Sequence, residues 1–369
     1  MQFIKCTREA LLKPLQVVGG IVEGRQTLAI LSHILVEKTG QSVTFTTTDL
    51  EIQIRTKAEI GIGEESVKTT LPATKLITLL NAIPGATSEV SLDKSEKSVE
   101  LRTTCGKYRL NQMTAEEYPS IPTSEMPTEV VLPAKTLRHL LQMVHFAMAQ
   151  QDIRYYLNGL LFVVGEGFVR AVATDGHRLA CCDAQSETAF AEPVEAIIPR
   201  KTVLQLLKLL PDSEEPVQIC LGESQAKFSF SGIEFITKVI DGKYPDYNRV
   251  IPTGNDKIFL VNRETLIGAL KRAAILANEK FKGLRWIITP GALHIQSTNS
   301  DMEEAVEDIA IEYDGEELDL GFNVTYLLDV LGNLKNTDVR FAFSSSQGAT
   351  LLTMPESEQF RYVLMPMRI

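Results

Sequence analysis

Asp175-Gly176-His177 sets a carboxylate beside an imidazole, the pairing by which many hydrolases orient a general base. Such chemistry also needs a nucleophile in reach of the base, and no Ser or Cys is tied to this pair by its spacing. Thr174-Asp175-Gly176 is also a turn-forming run in which Gly permits a positive φ. Thr48-Asp49 stands at a similar place earlier in the chain, which favours a structural turn over a catalytic dyad. His33, His139, His145 and His294 show neither H-E-x-x-H nor Cys/His metal spacing. There is no G-x-x-x-x-G-K-[ST] phosphate loop, and Gly19-Gly20 and Gly61-Ile62-Gly63 do not complete a dinucleotide fingerprint. Cys6, Cys105, Cys181, Cys182 and Cys220 form no C-x-x-C pair, and this odd, scattered set reads as reduced thiols. The expectation is a protein with no catalytic residues, metal or cofactor.

The elements that carry these residues repeat. A short strand runs into an amphipathic helix three times: 3–6 into 8–18, 130–132 into 134–149, and 258–261 into 263–277, with Phe3, Val130 and Ile258 spaced 127 and 128 residues apart. A second strand and helix follow at matching offsets, 70–73 into 76–83, 197–200 into 203–210 and 320–323 into 327–334. Pro72 and Pro199 suit a first helical position, where no backbone donor is missed. Alternating stretches such as 43–46 and 52–55 predict half-buried strands. The units close alike, Tyr108-Arg109-Leu110 leading to Tyr118-Pro119 and Phe235-Ile236-Thr237 to Tyr244-Pro245, so 118–127 and 244–252 read as linkers. The fold class is α+β: three repeated domains, 1–124, 128–250 and 251–369, each of two helices plus antiparallel sheets.

With 37 basic and 47 acidic residues among 369, the formal charge is −10, which by itself argues against nucleic acid. Distribution reverses that inference. The six helical segments sum to +9, leaving −19 on the rest of the chain. In the helix after Pro133, Leu137, Leu140, Leu141, Val144 and Met148 form the buried stripe and Lys135, Arg138, His139 and Gln142 lie mostly opposite. After Pro199, Lys201, Gln205 and Lys208 make the outward stripe, and Arg263, Lys271 and Arg272 lie off the apolar face of the fifth helix. Basic helices on one shared surface neutralise phosphates without reading bases. Twelve helices from two chains, spaced about 8–10 Å apart, line a ring with a hole of roughly 20–30 Å once one helix diameter is subtracted. A duplex fits through it.

At this point the chain resembles the bacterial β sliding clamp family, the processivity subunits of DNA polymerase III. The resemblance covers the whole chain. It rests on Arg154-Tyr155-Tyr156-Leu157-Asn158-Gly159, Ala173-Thr174-Asp175-Gly176-His177-Arg178-Leu179, Tyr244-Pro245-Asp246-Tyr247, Gly321-Phe322-Asn323-Val324 and Met365-Pro366-Met367-Arg368-Ile369. It implies a head-to-tail ring dimer encircling duplex DNA without sequence preference. It also implies a pocket for short peptide motifs of the replicative polymerase, the clamp loader and repair or translesion proteins. The matching pocket positions are Leu157, Thr174, Gly176, His177, Arg178, Leu179, Pro245, Arg249, Val250, Asn323, Tyr326, Val363, Met365 and Met367. Apolar, adaptable surface of this kind suits partner segments. DNA contacts map to Arg25, Gln151, Arg154, Tyr155 and Tyr156, while a position often basic in relatives is Thr74 here. The dimer contact maps to Lys75, Tyr108 and Leu110 against Ile275, Leu276, Asp301, Glu303 and Glu304. The chain shows neither a signal peptide nor a spanning apolar run, so the expected compartment is the cytoplasm. The alternative reading is a three-repeat peptide-binding scaffold that encloses no DNA.

Overall fold

A computed structural model describes residues 1–24, 28–104, 106–187, 190 and 192–368. The chain divides into two compact units, Met1–Lys135 with Leu204–Val239, and Thr136–Val203 with Ile240–Ile369. Each unit holds one eight-stranded and one four-stranded sheet, with every pairing antiparallel. In the first unit the large sheet runs Val67–Pro72, His33–Thr39, Ser42–Thr48, Ile52–Glu59, Ile233–Lys238, Gln225–Phe230, Pro216–Leu221, Thr128–Pro133. The small one runs Gln2–Thr7, Glu89–Lys94, Ser98–Thr103, Lys107–Asn111. The second unit repeats the plan. Its large sheet is Val194–Pro199, Gly159–Gly165, Phe168–Thr174, Arg178–Gln185, Ser357–Leu364, Thr350–Met354, Asp338–Phe343, Lys257–Asn262, and its small sheet is Glu304–Ala310, Ala292–Thr298, Gly283–Thr289, Leu318–Asn323. The units therefore do not follow the repeats. One half of the middle repeat completes a sheet with the first repeat, and the other half with the third.

The helices are α1 (Arg8–Gly19), α2 (Ala73–Ala82), α3 (Ala134–Val144), α4 (Arg200–Leu209), α5 (Arg263–Ile275) and α6 (Val324–Asn333). Among the described residues no helix is long and apolar enough to cross a membrane. Thr7, Asn262 and Asn323 cap α1, α5 and α6, each side-chain oxygen accepting a backbone N–H of the first turn. The expected apolar stripes are buried, and a second tie repeats: Thr47 Oγ1 donates to the Val18 carbonyl at the end of α1, and Ser297 Oγ to Ala273 in α5.

Several expectations are corrected. Pro72 and Pro199 are not first helical residues. They end strands that form sheet edges, opposite His33 and Gly159, where a residue lacking an N–H breaks no ladder bond. The helix expected over 134–149 stops at Val144 and tightens into a 3-10 turn, His145–Ala147, with the His145 ring on the Gln142 carbonyl and Met148 N–H on that of His145. Gln205 does not point outward: it is buried, donating to the Gly20 carbonyl. The linkers are ordered straps. Tyr118 is buried with its hydroxyl on the His33 carbonyl, and the backbone N–H groups of Ile121 and Ser124 donate to the Gln53 and Gln225 side chains.

The helical cations are also partly consumed inside the fold. Arg8 Nη1 donates to the Leu80 and Ile83 carbonyls at the end of α2, and Arg263 does the same for Leu331 in the last turns of α6 and Asn336 just past it. Each arginine opens the first helix of its repeat and caps the C-terminus of the second. Lys13 pairs with Glu9, Lys135 with Glu214 and Arg272 with Glu307. Lys75, Lys208 and Lys271 stay exposed. Removing the cap by Arg8→Met lowers the protection of α2 by about 1.5–3 kcal/mol, the range for bonds to a charged donor. Hydrogen exchange of the last α2 turn reads this out, and wild-type exchange there removes the capping role.

Candidate functional site

In the second unit, strand Phe168–Thr174 turns back into Arg178–Gln185. Asp175 Oδ1 accepts the N–H groups of His177 and Arg178, Thr174 Oγ1 donates to the Arg178 carbonyl, and Gly176 sits at φ +89°. The Asp175 carboxylate is thereby spent on backbone and on Arg178 Nε, 3.1 Å away, rather than on the imidazole. The His177 ring instead stacks on Tyr326 of α6, with centroids 6.5 Å apart. No catalytic dyad exists here. The first repeat builds the same turn at Asp49, which accepts Glu51 and Ile52 N–H, with Leu50 at φ +76°.

Arg178 lies beneath this turn, 8% exposed. It bonds Asp175, Asp329 at 2.6 Å and the Phe146 carbonyl, and its guanidinium sits 4.3 Å from the centre of the Tyr326 ring. Two carboxylates and a carbonyl compensate the buried cation, as burial demands. Tyr326 is thus held between a cation and an imidazole, and Tyr362 Oη donates to its carbonyl.

Around this centre most expected pocket residues converge. Leu157, Leu179 and Val363 belong to one buried cluster with Tyr244 and Tyr247, Val363 being 1% exposed. These three form core beneath the surface, and Thr174 is buried with them. The rim is exposed: Gly176, His177, Pro245, Arg249, Val250 and Met365. Met365 N–H donates to the His177 carbonyl, tying the C-terminal segment to the turn. Asn323 caps α6. Met367 lies further along, its N–H on the Gly321 carbonyl, where it helps line a groove of about 1030 Å³ with Phe281, Leu320 and Arg285. Tyr244 and Tyr247 stand in the motif that carries the resemblance, yet neither is among the expected pocket positions. Tyr244 Oη accepts Thr174 N–H, pinning the strap that carries Pro245 to the turn. Their signal is aromatic bulk on either side of Pro245-Asp246 in a short strap. Asp329 carried no signal, being 151 residues from Arg178.

The loop before Leu157 holds the DNA candidates. Gln151, at φ +57°, and Tyr155 are exposed, and Tyr156 is half-buried against Tyr155. Arg154 is not a free cation. It binds Asp152 through Nε and Nη2, which holds that carboxyl down at about 2, and donates to the Asp175 carbonyl at 3.2 Å. Arg25 lies outside the described residues. Of the dimer candidates, Lys75, Ile275, Asp301, Glu303 and Glu304 are exposed, Tyr108 and Leu276 are half-buried, and Leu110 is buried. The described cysteines are free, and burial pushes the Cys181 and Cys182 thiols up to about 11 and about 12, away from nucleophile chemistry.

Comparison with known proteins agrees with this geometry. Family models for the DNA polymerase III beta subunit match in three consecutive pieces: the N-terminal domain at 1–122, the central domain at 131–246 and the C-terminal domain at 248–368. The beta sliding clamp of Pseudomonas putida is 40% identical over 98% of both chains, and that of Escherichia coli K12 is 35% identical over 98% of both. A crystal structure of the DNA polymerase sliding clamp from Pseudomonas aeruginosa superposes with a TM-score of 0.96 at 38% identity over the whole of both chains. Another from that organism, bound to griselimycin, has the same TM-score and identity. Three clamp-type domains of paired helices and antiparallel sheets, matched along the full length, place this chain in the DNA polymerase III beta subunit family, the sliding clamps, as a non-catalytic processivity factor that acts on DNA with a polymerase.

Proposed function

We propose that two copies of this chain close head to tail into a ring around duplex DNA, each contributing domains 1–124, 128–250 and 251–369. One observation carries the reading. Within each unit, the strand after the turn of one repeat pairs with the last strand of the next, in the same register. Ile236 faces Gln53, and Val363 faces Leu179. Gln53 and Leu179 are the residues opposite Thr48 and Thr174, and Glu304 is opposite Thr298 in the third repeat. Counted through the sheets, Arg109 is the counterpart of Ile236 and Val363. Strands Glu304–Ala310 and Lys107–Asn111 are both sheet edges in the single chain. An open edge calls for a partner, and the shared register sets Glu304 opposite Arg109 and Ala305 opposite Tyr108. Opposite charges facing across strands support that pairing, and exposed Ile275 with Leu276 packs beside it.

DNA is held by enclosure, so contacts through Arg25, Gln151, Arg154, Tyr155 and Tyr156 can stay weak and sequence-independent. The surface around His177, Tyr326 and Met365 takes short motifs of the replicative polymerase, the clamp loader and repair or translesion proteins in turn. Peptide affinity then becomes persistence on DNA through high effective concentration. The compartment is the cytoplasm.

Three outcomes are expected. After loading with clamp loader and ATP, the protein co-elutes with circular plasmid and is lost on linearisation; equal retention on both means surface binding instead. Combining Tyr108→Cys and Ala305→Cys gives an oxidised inter-protomer cross-link on a denaturing gel, and moving the first cysteine to position 109 abolishes it. The dimer edge is misplaced if the shifted pair links equally well. Truncation of 365–369 abolishes polymerase stimulation and leaves the dimer intact by sedimentation; a wild-type response removes the C-terminal segment from the pocket.

A further inference from the structure

We propose that Arg170, Asp183 and Arg361 are positioning residues for the partner pocket, fixing the strap that walls it without lining it. The inference rests on the reading of that surface as the peptide pocket. Arg170 and Asp183 face each other across neighbouring strands and form a bidentate pair, Nε–Oδ1 2.6 Å and Nη2–Oδ2 2.8 Å. Arg361, on the adjoining strand of the third repeat, donates to the same carboxylate at 2.7 Å. All three side chains are mostly buried. One carboxylate thus joins three strands, and two of these continue into pocket residues: Arg178–Gln185 holds Leu179, and Ser357–Leu364 holds Val363 and runs on to Met365.

The remaining donor of Arg170 points to the strap. Nη1 lies 3.2 Å from Tyr247 Oη, and the guanidinium sits over the rings of Phe168 and Tyr247 at 5.1 and 5.8 Å. Tyr247 is buried, and its carbonyl accepts the N–H groups of Val250 and Ile251, forming the turn that presents Arg249 and Val250 outward. Tyr244 pins one end of the strap to Thr174, and Arg170 pins the other through Tyr247. Without the second pin, a partner must order the strap as it binds, at a cost in affinity.

The test uses the full-length dimer and a fluorescent peptide carrying the clamp-binding segment of its own replicative polymerase. Tyr247→Phe removes only the hydroxyl, and Arg170→Met removes the whole pin. Both are expected to raise the peptide dissociation constant, by about three- to tenfold for the hydroxyl, on the scale of one ordinary net hydrogen bond. The dimer by sedimentation stays as in wild type. Amide exchange at Val250 and Ile251 accelerates in the free protein and returns to the wild-type rate with peptide bound, a signature that general destabilisation does not give. Should Arg170→Met not fold, Tyr247→Phe decides. The chain truncated at 365–369 serves as control. If truncation abolishes binding while Tyr247→Phe binds and exchanges as wild type, the positioning role is overturned and the pocket stands. If truncation leaves binding unchanged, the pocket reading itself falls.

Discussion

An antiparallel strand at the edge of a sheet presents a row of N–H and C=O groups that must find partners, and the architecture of this chain is organised around where they find them. Twice within the polypeptide, the strand that follows a repeat's central turn takes its partner from the last strand of the next repeat, with Gln53 facing Ile236 and Leu179 facing Val363. Each junction converts two four-stranded halves into a continuous eight-stranded sheet. The middle repeat is consequently shared between two compact units, and domain boundaries drawn on sequence similarity do not coincide with the boundaries of compactness. The proposed partner surface lies where such a junction ends. Arg178–Gln185 and Ser357–Leu364 are hydrogen-bonded neighbours, so residues nearly two hundred positions apart in the chain meet beneath His177 and Tyr326.

Electrostatics follows a similar economy. Positive charge concentrates on the helices, yet a good part of it serves the fold before it serves any ligand. Arg8 and Arg263 satisfy carbonyls at the ends of neighbouring helices, and Arg178 neutralises two carboxylates under the central turn. What is left for phosphates is a sparse set of exposed lysines and polar loop residues. A sparse set suits a protein that retains DNA by enclosure, because strong local contacts would oppose sliding.

The repeats, their element order and the buried helix stripes were legible in the sequence because each arises from local periodicity. Leu137, Leu140, Leu141 and Val144 needed only the helical period to be placed inward, and they are buried. The misreadings share one cause, a tertiary partner that local pattern cannot reveal. Gln205 falls on the polar stripe of α4, but its amide is claimed by Gly20, 185 residues away. Pro72 reads as a helix start, but sheet registry makes it the end of an edge strand. Arg154, a DNA position by resemblance, likewise has partners that local pattern does not show, Asp152 and the Asp175 carbonyl. Resemblance to a family supplied the pocket positions, and it could not say which are rim and which are core. Val363 and Leu157 are core, and Met365 is rim.

The central turn appears in each repeat with an Asp or Asn side chain closing it and one residue in the left-handed region: Leu50, Gly176 and Met302. The first two copies share one backbone solution, and the third is a residue longer, with Asn299 reaching on to the Glu303 N–H. At Gly176 a β-carbon would stand 2.9 Å from the Arg154 guanidinium, whereas the Leu50 and Met302 side chains are exposed. Glycine at 176 lets the Arg154 guanidinium lie against the turn, where it donates to the Asp175 carbonyl and ties the loop before Leu157 to it. On the proposed reading, partners of one chain meet at this second turn and must compete for it.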